Sequence, residues 1–186
     1  MYGKMIENSE HLTVLFRYRF RTAWLIMVGL LLSSVVYTTA AAEVSVRPNL
    51  VVVKKSERKL YLMIDDKILK SYDISLGRVP LGRKVREGDL RTPEGSYTLD
   101  WKHPNSKFYR AFHISYPNEQ DSAQARKRGF APGGDIMLHG LPNIIGPLVY
   151  RVKGRDWTQG CIAVSNEVMD EIWETVAVNT RIDILP

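Results

Sequence analysis

Apolar and polar positions change rhythm several times along the chain. Leu50–Val53 is a β-branched run, and in Lys59–Ile64 the residues Leu60, Leu62 and Ile64 alternate with Tyr61 and Met63. Both patterns predict short strands. Asp65–Asp66 reads as a hairpin turn into a third strand-like run, Lys67–Leu76. Gly77 to Arg91 is rich in Gly, Pro and charge and predicts a long exposed loop. Thr92–Gly95 leads into a strand over Ser96–Trp101, and Phe112–Tyr116 is another, stopped by Pro117. Asn118–Gly129 has few apolar residues and predicts a solvent-exposed helix. Pro132–Gly134 breaks the chain ahead of a strand over Asp135–His139, and Leu141–Val152 reads as loop. Asn166–Ala177 carries Val168, Met169, Ile172, Trp173 and Val176 at helical spacing. Ser165 or Asn166 is available as its N-cap, and Glu167 suits its first turn. Thr180–Leu185 reads as a closing strand. The tally predicts a mainly β domain with one or two helices.

The N-terminus follows a different pattern. Arg17, Arg19 and Arg21 precede an uncharged, largely apolar run from Ala23 to Tyr37, and Thr38–Ala42 ends in an A-x-A sequence. This is the layout of a secretory signal peptide over residues 1–42, or of a signal anchor that stays in the membrane. Either one exports residues 43–186, a length suited to one domain.

Charge adds little specificity. The net charge is +6 over 186 residues, with 25% charged residues, and no Lys/Arg stripe or aromatic-interleaved basic patch stands out. A diffuse basic excess suits an anionic polymer or a membrane surface and gives no reason to expect nucleic acid. Scattered histidines and a single cysteine offer no metal-ligand spacing, and no glycine-rich phosphate loop is present. No metal or cofactor is expected.

Cys161 is the only cysteine of a chain that reads as exported. It is either a small buried hydrophobe or a nucleophile, because no disulfide partner exists within the chain. It follows Gly160, which permits a sharp turn and close approach of a developing oxyanion. A thiol of ordinary pKa needs a base. His11 lies ahead of the export signal, His103 reads as loop and His113 as a structural strand residue. His139 ends an apolar run beside Gly140 and is placed to face a cleft.

His139–Gly140 followed by Thr158–Gln159–Gly160–Cys161 resembles the signature of the L,D-transpeptidase (YkuD-type) catalytic domain. The family's usual form is His–Gly, a spacer, then Ser/Thr–His–Gly–Cys, an apolar residue and Arg. Ser75–Leu76–Gly77 and the Thr92–Pro93–Glu94–Gly95 element extend the resemblance over residues 48–186. It implies a YkuD-like β-sandwich or barrel, with Cys161 as nucleophile and His139 as general base. The Gly140 carbonyl would orient the imidazole, and the amides of Gly160 and Cys161 would face the oxyanion. Gln159 stands where the family has His, and Ala163 where it has Arg. Gln159 can donate a hydrogen bond near the oxyanion but carries no charge. Arg155, Lys153 and Arg151 are the nearby cations that could stand in for the missing Arg.

The implied activity is acyl transfer on peptidoglycan stem peptides. Cys161 would form a thioester with the diamino-acid carbonyl of a tetrapeptide stem, and an amine from a second stem, a lipoprotein or a D-amino acid would resolve it. One alternative has water resolve the thioester, cutting a crosslink or an outer-membrane lipoprotein link. Another is a non-catalytic wall-binding module. The expected location is the periplasm or cell envelope, with membrane contact only through an uncleaved N-terminal segment.

Overall fold

The computed structural model describes residues 47–150 and 155–186. The predicted signal segment and Lys153 and Arg151 lie outside the described residues. Within them, eight strands and two α-helices follow the chain as β1 (Leu50–Lys54), β2 (Lys59–Ile64), β3 (Lys67–Asp73), β4 (Gly95–Ser106), β5 (Tyr109–Ile114), α1 (Glu119–Lys127), β6 (Met137–His139), β7 (Ile162–Ala163), α2 (Asn166–Thr175) and β8 (Thr180–Leu185).

All eight strands join one sheet in the order β3-β2-β1-β8-β4-β5-β6-β7. The β1-β8 and β6-β7 pairs are parallel and the others antiparallel. The chain leaving β3 then meets the far edge. Ser75 and Ala163 exchange both backbone hydrogen bonds at 2.8 and 2.9 Å, and Thr158 N donates to Leu76 O at 3.1 Å. The sheet therefore closes on itself, which leaves neither edge fully open to pairing with another chain.

One face carries the main core, where Val51, Val53, Leu60, Leu62, Leu99, Phe112, Ile114, Leu138, Ile162, Ile182 and Ile184 meet Met169 and Ile172 of α2. Helix α2 starts where Ser165 accepts a hydrogen bond from Val168 N, and its apolar spacing aims one stripe at the sheet. A smaller cluster of Leu141, Val149, Trp157 and Ala163 is separate from that core.

Three expectations change. Helix α1 is not simply a solvated helix, because Asp121 and Ala125 are buried. Asp121 completes a capping box with Asn118, accepts from Tyr97 Oη at 2.9 Å and pairs with Arg83 at 3.0 Å. The segment from Gly77 is pinned rather than freely exposed. Lys55, 3% exposed, donates through Nζ to Gly82 O, Thr92 O and Glu94 Oε1, and a buried Lys84–Asp89 pair closes the segment's far turn. Finally, β4 runs on to Ser106, so His103 lies in a strand and not a loop. Pairing with β5 carries β4 past Pro104, where the register is already irregular and a missing N–H is tolerated.

Candidate active site

The turn Thr158–Cys161 is built by one hydroxyl. Thr158 Oγ1 donates to Cys161 O at 2.7 Å and accepts from Gly160 N at 3.1 Å. Gly160 has φ +135°, and a Cβ there would sit 2.8 Å from Arg91 O. Only glycine fits this strained approach. Of the two amides expected to face an oxyanion, that of Gly160 is already engaged inside the turn.

Cys161 follows, immediately ahead of β7 and half-buried. Its Sγ accepts from Met137 N at 3.4 Å and lies 3.7 Å from Asp135 O. Burial pushes the thiol pKa up, and the Met137 N–H offsets this only in part.

His139 stands at the end of β6, paired across the β6-β7 ladder with Ala163. It is 2% exposed, and its Nδ1 lies 2.6 Å from Gly140 O. A neutral imidazole must donate through Nδ1 to a carbonyl, which leaves Nε2 as the acceptor. Phe108 and Trp157 enclose the ring at centroid distances of 4.6 and 5.7 Å. Burial among these rings lowers the imidazole pKa to about 4, against a small opposing effect of the Gly140 carbonyl. The resting pair is therefore a neutral thiol and a neutral imidazole. Among the described residues no hydrogen bond joins His139 to Sγ, but both line one cavity of about 520 Å³. That size suits a substrate segment, and closer approach on substrate binding is ordinary for catalytic groups.

The same cavity is lined by Gln159, Arg78, Lys84 and Glu87. Gln159 is exposed at its lip. Arg155 is elsewhere: it reaches Asp73 at 3.6 Å and lines a different depression with Ile74 and Tyr150. Its position after the loop turns it toward the β3 end. The cations at the cavity are Arg78 and Lys84, which sequence reasoning missed although Arg78 directly follows the Ser75–Gly77 element. Lys84 is neutralised by Asp89 at 3.0 Å. Arg78 is exposed and has no ion-pair partner among the described residues. Ala163, which stands where the family signature has arginine, is fully buried against Leu141, Val149 and Trp157.

Among the described residues, no three His, Cys, Asp or Glu side chains are grouped to hold a metal. No described helix is long and apolar enough to cross a membrane.

The signature of the L,D-transpeptidase catalytic domain (YkuD) matches residues 48–184. The chain belongs to this family. It is 31% identical over 135 residues to YafK of Escherichia coli K12, named there as a candidate L,D-transpeptidase, covering 69% of this chain and 47% of that protein. Among solved structures, Pgp2 of Campylobacter jejuni, a helical cell shape determining protein, superposes with TM-score 0.56 at 29% identity, covering 73% of this chain and 46% of that one. Bd1075 of Bdellovibrio bacteriovorus gives TM-score 0.51 at 26% identity, covering 73% and 47%. The chain spans about half the length of these relatives.

Proposed function

We propose that the chain is a cysteine acyl-transfer enzyme of the cell envelope that acts on peptidoglycan stem peptides. The observation that supports it is the shared cavity of Cys161 and His139, with Nδ1 of His139 held by the Gly140 carbonyl and Nε2 left as a base. As Sγ attacks the diamino-acid carbonyl, its proton passes to Nε2. The tetrahedral intermediate collapses, the C–N bond breaks, and His139 returns the proton to the departing D-Ala amine. The thioester is then resolved by an incoming amine, which restores the thiol. Because both groups start neutral, proton transfer accompanies attack instead of preceding it.

The amide of Cys161 is the oxyanion donor in this reading, since that of Gly160 is bonded to Thr158. Gln159 at the lip contacts the stem. Arg78 takes the role of the missing arginine toward a substrate carboxylate, as a guanidinium is suited to do. Residues 1–42 export the domain as signal peptide or anchor, on the strength of the Arg17–Ala42 layout. By analogy with the name of Pgp2, cell shape is the property this chemistry serves.

The test is incubation of the purified chain with tetrapeptide muropeptides. New crosslinked dimers or exchanged D-amino acids are expected from wild type and none from Cys161→Ala. Shortened monomers or released lipoprotein stubs alone would show water as the acceptor and overturn transfer. Equal processing by Cys161→Ala would overturn the nucleophile.

A further inference from the structure

The β4-β5 register has an irregularity between Leu99 and Trp101. Leu99 pairs with Ile114, but Trp101 pairs with His113, so Asp100 is the extra residue of a bulge. A one-residue shift reverses every later side chain with respect to the two faces. Before the bulge, Tyr97 and Leu99 point into the main core. After it, Lys102 takes the core-side position, over Phe112 and Trp173 at 5.0 and 4.8 Å, and Trp101 is turned to the opposite face.

That opposite face is the catalytic one. Residues paired across strands point the same way. His103 pairs with Ala111 and Ala111 with His139, while Trp101 pairs with His113 and His113 with Met137. Met137 is the residue whose N–H meets Cys161 Sγ. Two rows thus run from the catalytic strand end to an aromatic group on β4. Trp101 stacks on His113 at 5.0 Å and 13°, with His103 edge-on at 5.9 Å. Asp100 fixes His113 through Nδ1 at 2.7 Å. Although two rings support it, Trp101 remains 42% exposed.

We propose that Trp101, with His103 and His113, is a sugar-binding subsite that stacks a pyranose ring of the glycan chain carrying the stem peptide. This rests on the peptidoglycan reading above. An indole held rigid from beneath, with polar ring nitrogens and a carboxylate at its rim, offers stacking to sugar C–H groups and hydrogen bonds to hydroxyls. The occupant is chosen by reach. Cys161 Sγ lies against β6, 3.4 Å from Met137 N, and from β4 to β6 is two strand spacings, about 10 Å. Three extended residues, the distance from the sugar to the attacked carbonyl, span roughly 10 Å as well. A stem entering the cavity therefore brings its own sugar over Trp101.

The test uses the full chain in two measurements. In a Cys161→Ala background, cosedimentation with glycan chains stripped of peptide should weaken roughly fivefold on Trp101→Ala, the size of one aromatic stacking contact. Trp101→Phe, which keeps a ring, should retain most of the binding. With active enzyme, the ratio of kcat/KM for glycan-linked over sugar-free tetrapeptide should fall by a similar factor in Trp101→Ala. Unchanged glycan binding, or an unchanged ratio, overturns the subsite. If wild type turns over neither substrate, the enzymatic reading has failed, and the glycan-binding arm still decides the subsite by itself.

Discussion

The depressed imidazole of His139 ties acid stability and activity to one proton. The perturbation is a fall in pH from 7.5 to 4.5, with His139→Gln as comparator. In the unfolded chain the imidazole titrates near its ordinary 6.5, and in the folded chain at about 4. Between these values the unfolded state binds a proton and the folded state does not, so folding stability falls as pH falls. The contribution is fully present above 6.5 and exhausted below 4. His139 is buried, so solvent screening does not reduce the effect. Linkage makes the loss roughly 2–3 kcal/mol over this span. Urea midpoints across the range should show it in wild type and not in His139→Gln. The carboxylates held low by partners add their own losses nearer their pKa values, which the comparator retains. The acid limb of kcat/KM should lie near pH 4 for the same reason. At pH 5.5 roughly 97% of such an imidazole is an unprotonated base, against roughly 9% for an ordinary one. A midpoint difference between wild type and His139→Gln that stays constant with pH, together with an activity limb near 6.5, would refute the reasoning.

Two further substitutions probe the frame around the thiol. Thr158→Val keeps the shape but leaves the buried Gly160 N–H without its partner, at a cost of about 1–3 kcal/mol. Urea denaturation should read this together with a lowered kcat, and a change below about 0.5 kcal/mol would contradict the turn's dependence on that hydroxyl. Asp89→Asn leaves Lys84 a buried, uncompensated cation beside the cavity and should cost about 3 kcal/mol by the same measurement.

Local rules made most strands and α2 readable. The alternation in Lys59–Ile64, the turn at Asp65–Asp66 and the Ser165 cap each depend on residues close in sequence. His139 and Cys161 were singled out as a pair only through the resemblance to the family signature, since each one's local sequence suits a structural role as well as a catalytic one. What escaped was set by distant partners. Arg78 reads as one more loop charge until Thr158 fixes its backbone 3.1 Å away, across the closing seam. Lys84 reads as solvated until Asp89 folds back on it. The burial of Asp121 in a polar helix needs Tyr97, 24 residues away. Arg155 was favoured for its nearness in sequence to Cys161, and the chain between them turns it to another depression.

The place of β8 bears on when the site can exist. The last of the eight strands to be synthesised is not at an edge but in the middle, parallel to the first strand on one side and antiparallel to β4 on the other. Leu50 must wait for Arg181 before the sheet's two halves are joined. Such long-range pairing bears its loop-closure entropy before any contact offsets it, which slows folding. Until β8 is inserted, β3 and β7 can both be present with no seam between them. β8 pairs with neither β6 nor β7, yet by joining the two halves of the sheet it sets where the seam between the β3 end and β7 can form.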